Sequence, residues 1–566
     1  MGDTGKIYCR ILFDVLQEKG VRNVVCSPGS RNVPLLLAAA ARQRIKKYFA
    51  ADERSAGFLA LGIAMVRQEP VALICTSGTA LLNYAPAIAE AYYQGIPLVV
   101  ISADRPVQWI DQDDSQTIRQ ENVLGNFVKK SFSIPAVGEK EEELQWYVNR
   151  IANEAIIVAC DRQPGPVHIN VQLSEPLNVY GKEKLSFPRI ITNVVGDSIP
   201  NKEFIKGLAK TLSESKVVLV AGFDLPDSMT QKAIAEFSKL SNVAVFAETI
   251  SNLHLHREDY CVDSVLTAYQ IETIDSMAPD IIISIGGALV SRKLKEYLRR
   301  NKDKCQHWSI GYSNTISDPF MSLSLKIEVE PARFFKNINA ALRKFKPVDS
   351  VKNYKEEWNF LKEKALNLKD KFIKECKWSE LKAFDILLNN LPIDYNLFLS
   401  NGTSIRYAQL IDSALPHASY CNRGVSGIDG STSTAIGGGL AFKGKTILIT
   451  GDLSMAYDIG AIGLREIPDN FKIIVIDNQG GGIFRFIPST SDLNEREEYL
   501  CQAPLLPLKQ LADGYKWHYY EASDEKSLKE ILPVFLKNPK KSILKIICDG
   551  QESALVLNEY MRKMVN

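Results

Sequence analysis

The run TILITGDLS, Thr446 to Ser454, decides how this chain folds. Its first residues are β-branched and apolar without alternation, as in a strand buried on both faces. It then ends on Gly451 and Asp452, a turn glycine and a carboxylate. In an open α/β sheet, ligands bind in the crevice outside the carboxyl ends of the strands, and Asp452 stands at such an end.

Working outward, the same order of strand, turn and helix recurs. In the last third, LFL at 397–399 precedes SNGTSIR, SYC at 419–421 precedes NRGVSGIDG, and IIVI at 473–476 precedes DNQGG. The first third has VVC at 24–26 before SPGSR, KYF at 47–49 before AADER, VALIC at 71–75 before TSGTA, and LVVI at 98–101 before SADRP. Even the closing strands correspond, PVHI at 166–169 and ILKI at 543–546. Three further strands, at 217–220, 243–246 and 281–284, define a middle unit. The expected fold class is therefore α/β, with three doubly wound parallel-sheet domains at 1–180, 200–345 and 375–566, the terminal two related as an internal repeat. The connectors are 181–202 and a charged helical stretch, 352–377, expected to present a solvated face.

Composition excludes several classes. The 566 residues are 46% hydrophobic and 24% charged, with a formal charge of +2, which gives no reason to expect nucleic acid or a membrane surface. Ten cysteines without a C-x-x-C pair suit core thiols in a reducing compartment, so a cytoplasmic location is expected. No targeting segment or bilayer-spanning run is evident. GLAFKGKT at 439–446 matches the P-loop pattern, but it follows a helix and enters a strand, the reverse of what phosphate binding requires. His254 and His256 lack a second ligand cluster nearby.

Asn478 also ends a strand, 26 residues after Asp452, which leaves room for a turn, a helix at 459–465 and the next parallel strand. A carboxylate, an amide oxygen and a free carbonyl from Gly480-Gly481-Gly482 suit a hard cation such as Mg²⁺ holding a diphosphate.

On these residues the chain resembles the thiamine diphosphate (ThDP) enzymes, whose pattern is G-D-x, about two dozen residues, then N. The resemblance implies that Asp452, Asn478 and Gly480 hold Mg²⁺ or Mn²⁺. It also implies that Thr79, Ile428, Gly451, Leu453, Ser454 and Ile483 join them around ThDP. Glu53, in ADER at 51–54, matches the family's catalytic carboxylate on the aminopyrimidine. Sites in that family form between subunits, so a homodimer or dimer of dimers is expected.

SPGSR, ADRP and NRGVSGIDG narrow the likeness to the 2-succinyl-5-enolpyruvyl-6-hydroxy-3-cyclohexene-1-carboxylate synthases of menaquinone biosynthesis. These are decarboxylating transferases, and the resemblance spans the whole chain. It implies decarboxylation of 2-oxoglutarate and addition of the four-carbon carbanion equivalent to isochorismate. The alternative is another ThDP-dependent 2-oxoacid decarboxylase or acetohydroxyacid-synthase-like carboligase. Arg31, Arg105, Arg406 and Arg423 follow strand ends on the Asp452 face and suit substrate carboxylates. Ser30 and Gln116 match polar substrate contacts, Phe484 and Ile487 with Ile483 an apolar wall. Three departures stand out: Arg292-Lys293 where the family has Lys-Arg, a pair of which the resemblance implies that one member reaches a substrate carboxylate, Gly402 where serine is usual, and Ser115 where asparagine is common.

Overall fold

The computed structural model describes residues 3–136, 140–181, 188–196, 200–412, 416–487 and 489–564. Its strands form three sheets, all parallel. The first contains β1 (Asn23–Cys26), β2 (Lys46–Phe49), β3 (Val71–Cys75), β4 (Leu98–Asp104), β5 (Ser131–Ile134) and β6 (Val167–Gln172), in the order β2-β1-β3-β4-β6-β5. The middle sheet contains β7 (Val217–Ala221), β8 (Val243–Ala247), β9 (Ile281–Ile285), β10 (Gln306–Ile310) and β11 (Leu323–Ile327), in the order β11-β10-β9-β7-β8. The third contains β12 (Asn396–Leu399), β13 (Ala418–Cys421), β14 (Thr446–Gly451), β15 (Lys472–Asp477), β16 (His518–Ala522) and β17 (Ser542–Ile547). Its order, β13-β12-β14-β15-β17-β16, repeats the first sheet strand for strand.

The sequence reading did not include β5, β10, β11 and β16. β5, β11 and β16 are sheet edges, and their faces alternate or lie open, so they lack the continuous apolar run that marks a strand buried on both sides. The expected connector at 181–202 falls partly on residues 182–187 and 197–199, which lie outside the described residues. The P-loop look-alike is a helix end followed by a strand start, Ser431–Ala441 and then β14.

The charged stretch 352–377 needs correction. It forms the helix Tyr354–Glu375, but one face is buried instead of solvated. Trp358 is fully buried and meets Phe246, Tyr297 and Tyr354 edge to face. Two of its lysines are buried as well. Lys362 Nζ donates to Val245 O at 2.7 Å, and Lys369 Nζ to Asp412 Oδ2 at 2.5 Å and Ile411 O at 2.8 Å. Buried ammonium groups persist only when paired and hydrogen-bonded, and here they bind this helix to the middle and third sheets.

The first and third sheets meet through two helices, Glu53–Arg67 and Ser431–Ala441. The crossing is closer than any β-carbon allows: one added at Gly62 would overlap Thr434 O, and one at Gly437 would overlap Leu59 O. Gly62→Ala is therefore expected to destabilise the protein by about 1–3 kcal/mol, the usual cost of overpacking. Gly207, on an exposed helix face with open space around it, is the control; Gly207→Ala should instead stabilise by about 0.5–1 kcal/mol. Thermal melting of the cofactor-free variants checks both signs.

Candidate active site

β14 ends at Gly451, paired with Ile476 of β15, so the two strands deliver their following residues to one place. The helix Asp452–Tyr457 starts on the aspartate itself. At 459–465, where a helix was expected, there is only a 3₁₀ turn, Ile459–Gly463. Asp452 is buried, and its Oδ2 accepts from Gly480 N at 2.7 Å while Oδ1 accepts from Leu453 N at 2.7 Å. One carboxylate thus joins the two loops. Burial pushes its pKa up to about 6.

Asn478 donates through Nδ2 to Glu380 Oε1 at 2.9 Å, while its Oδ1 is buried with no partner among the described residues. Gly480 and Gly481 have φ of 80° and 57°, in the left-handed region where glycine is favoured. Arg485 Nη1 donates to the carbonyls of Asn478 and Gly480, each at 3.0 Å, and Arg485 is itself paired with Glu497 at 2.9 Å. A buried amide oxygen without a donor, beside a buried carboxylate and a fixed carbonyl, fits the oxygen-ligand preference of a hard divalent cation.

Glu53 begins the helix Glu53–Arg67, capped by Asp52. It lines a cleft of about 290 Å³ with residues 76–80, Asn83, Asp114 and residues 116–118. Thr79 and Gln116 are both on this lining. All of it belongs to the loops and helix starts that follow strands of the first sheet, and among the described residues none of the Asp452 loop contributes.

The arginines form two pairs. Arg31 is buried, donating to Leu173 O at 3.0 Å and facing Glu175 at 3.2 Å; Arg105 donates to Ser115 O at 3.1 Å and pairs with Asp114 at 3.1 Å. Burial, then the charge of Arg105, lowers the pKa of Arg31 from its ordinary value. Ser30 beside them is exposed. In the third unit, Arg423 Nη1 donates to Asn401 Oδ1 at 3.0 Å, and Arg406 Nη1 to Gly402 O at 2.5 Å. Gly402 has φ of 94°, in the region that favours glycine. Ser404 is held by Ser400 at 3.3 Å, and Thr403 reaches Glu380. Asn401 Nδ2 donates to Asn422 O and Gly427 O, and Ser400 Oγ accepts from Gly451 N at 3.3 Å, so the Arg423 loop is continuous with the Asp452 turn. Ser454 Oγ donates to Ile428 O at 3.0 Å. Leu453, Ile483, Phe484 and Ile487 are half-buried. Arg292 is turned outward, its side chain 68% exposed and paired with Glu296 at 2.6 Å. Lys293 points between units, onto Thr267 Oγ1 at 2.8 Å.

The sequence reading did not include Glu380, Arg485, Glu248 or Lys295. Glu380 carries no local motif, and only the fold brings it to Asn478, 98 residues away.

Comparison with known proteins identifies the class. Residues 8–123 match the model described as thiamine pyrophosphate enzyme, N-terminal TPP binding domain, which covers β1 to β4 and every residue lining the Glu53 cleft. With two copies of one parallel-sheet unit and the Asp452–Asn478 turn pair, the chain is a ThDP-dependent enzyme. Over nearly its full length it is similar to 2-succinyl-5-enolpyruvyl-6-hydroxy-3-cyclohexene-1-carboxylate synthases. It is 39% identical to that of Porphyromonas gingivalis, covering 97% of this chain and 96% of the relative. It is 36% identical to that of Flavobacterium johnsoniae and 35% to that of Bacteroides fragilis, with 98% of both chains covered in each case. The chain belongs to this synthase family.

Beyond the Asp452 helix, Asp458 is fully buried and ties back to the helix Ser431–Ala441 through Ser433 N at 2.7 Å and Oγ at 2.8 Å. Burial raises its pKa to about 7, against about 3.9 unfolded. The raised value means the folded state favours the protonated acid, so this stabilising term is full below about pH 3.9 and is lost as pH rises through about 7. Asp458→Asn keeps the shape and removes the titration. Its urea midpoint should gain on the wild type between pH 5 and pH 7.5, and a constant difference across that range would count against the assignment.

Proposed function

We propose that the chain decarboxylates 2-oxoglutarate and adds the four-carbon unit to isochorismate, with ThDP and Mg²⁺ (or Mn²⁺), as a step of menaquinone biosynthesis. The observation that carries the reading is the unpartnered Asn478 Oδ1 beside buried Asp452, on a rim continuous with Arg423.

Asp452, Asn478 and the Gly480 carbonyl would hold the cation, and Gly451, Leu453 and Ser454 the diphosphate beside it. Bound ThDP supplies a nucleophilic thiazolium carbon and an electron sink for decarboxylation of a 2-oxoacid. Glu53 holds the proton shared with the aminopyrimidine ring nitrogen, the kind of acid–base help worth roughly 10²–10⁴-fold. Ile483, Phe484 and Ile487 would exclude water from the reacting carbon, and Ile428 would support the cofactor. Arg31, Arg105, Arg406 and Arg423 orient the carboxylates, while Ser30 and Gln116 add polar contacts. Because the Glu53 cleft draws nothing from the Asp452 loop of its own chain, a second copy of the chain would complete each site, which makes at least a dimer. The described cysteines are all free, which fits a reducing cytoplasm, and no described helix is long and apolar enough to cross a membrane.

The direct test is purified protein with ThDP, Mg²⁺, 2-oxoglutarate and isochorismate, read by mass spectrometry for the adduct. Turnover of pyruvate with no response to isochorismate would point to a different carboligase. Glu53→Gln is expected to cut kcat by about 10²-fold or more while ThDP still binds. Asp452→Ala should lose ThDP affinity by calorimetric titration with Mg²⁺ present; unchanged affinity would move the metal site elsewhere.

A further inference from the structure

The helix Arg292–Arg300 carries the sequence RKLKEYLRR, and its side chains follow one another by about 100° per residue. Leu294, Tyr297 and Leu298 are its buried residues and define the inner stripe. Arg292 and Glu296 fall on the opposite side and pair there. Lys293 and Lys295 flank the stripe on its two sides. Lys293 leans toward Thr267 and Met561, whereas Lys295 leans toward the third sheet's rim.

There, Lys295 Nζ donates to Leu289 O at 3.3 Å, and Arg423 Nη2 donates to the same oxygen at 3.4 Å. Two cations share one neutral acceptor. Arg406, the third, donates to Gly402 O, and Arg423 Nε is buried with no partner among the described residues. Among the described residues no carboxylate lies within ion-pairing reach of these three cations. The acids whose charges act on Lys295 and Arg406, Glu248 and Asp263, are occupied elsewhere. Glu248 is fully buried and accepts from Val290 N and Ser291 N, both at 2.7 Å; Asp263 accepts from Ser291 Oγ at 2.7 Å. These bonds fix residues 289–291, so the Leu289 carbonyl is held where the two cations meet. Burial first lowers the Lys295 pKa, with Glu248 opposing and Arg423, Arg299 and Arg406 adding to the fall in that order, which agrees with several cations in one neighbourhood. Like charges gathered without a counter-ion are unfavourable until an anion arrives.

We propose that Lys295, which no family pattern points to, is a substrate-binding residue: with Arg423 and Arg406 it forms one receptor for a substrate carboxylate. The cluster adjoins the Asp452 turn through Asn401 and Ser400. Glu248 is then a positioning residue for the receptor. The inference rests on the carboligase reading for its location at the active site, and either proposed substrate, each a dicarboxylate, could supply the anion.

The test uses holoenzyme with ThDP and Mg²⁺, comparing Lys295→Met, Lys295→Arg and Arg292→Met, with Arg300→Met, whose arginine pairs with Asp275, as a control from the same helix. Lys295→Met is expected to raise KM at least tenfold for 2-oxoglutarate or for isochorismate, and which of the two rises identifies the carboxylate. ThDP affinity and melting temperature should stay at the wild-type values, Lys295→Arg should recover most of the loss, and Arg292→Met should have the smaller effect. The proposal is overturned if both KM values stay within twofold, if Arg292→Met has the larger effect, or if Lys295→Met lowers ThDP affinity and melting temperature in parallel. Calorimetric titration with succinate separates the two readings. A wild type that turns over neither substrate yet binds succinate more tightly than Lys295→Met removes the carboligase reading and keeps the receptor. Neither turnover nor succinate binding overturns both.

Discussion

The glycine-to-backbone crossing of the helices Glu53–Arg67 and Ser431–Ala441 is the constraint on which the rest of the molecule depends. Each helix follows a strand end, β2 in one case and β13 in the other, so fixing their crossing fixes the functional rims of two sheets at once. Gly62 admits Thr434 O, Gly437 admits Leu59 O, and Gly430 admits the ring of Phe58. At the start of the first helix, Arg54 Nη2 donates to Tyr457 O at 2.9 Å, the last residue of the Asp452 helix. One continuous apolar core runs through this crossing and into the middle sheet, from Ala56 through Ala435 to Ile282. Glu53 and the Asp452 loop are consequently held in one framework, although that loop does not line the Glu53 cleft.

Buried charge does the local work that apolar packing cannot. Burying an ion costs several kcal/mol unless hydrogen bonds compensate it, and an apolar substitute is often as stable. What these groups contribute is placement. Asp452 joins the loops after β14 and β15, Glu380 orients the Asn478 amide, Glu248 holds residues 289–291, and Lys369 with Asp412 binds the connecting helix to the third unit. Each accepts from or donates to a specific partner, so each converts a free-energy cost into one loop geometry.

Much of this was legible in the sequence, for a physical reason. Central strands such as β14 are apolar on both faces and end abruptly, so Asp452 and Asn478 could be placed at strand ends from local pattern alone. The edge strands β5, β11 and β16 gave no such signal, because an exposed edge needs no continuous apolar run. Glu380 and Glu248 were invisible because their partners are distant in sequence. The RKLKEYLRR helix is a different kind of miss. Its apolar positions 294, 297 and 298 already fix which way the helix faces, and that phase turns Arg292 outward and sets Lys293 and Lys295 on the two flanks whatever the family pattern expects.

The repeat also shows how one strand end yields two kinds of site. After β3 the chain passes through Thr76, Ser77 and Gly78, the last with φ of 86°, before its helix begins at Ala80, and this delay leaves a cleft beside Glu53. After the equivalent β14 the helix begins at once on Asp452, and the carboxylate is drawn into contact with Gly480. A delayed helix opens room for a flat ring, whereas an immediate one concentrates oxygen atoms at a point. On the reading proposed above, those are the requirements of the two halves of ThDP, a heteroaromatic ring and a metal-bound diphosphate. Duplication supplied the common strand order, and the difference of a few residues in where the helix starts divided the labour between the copies.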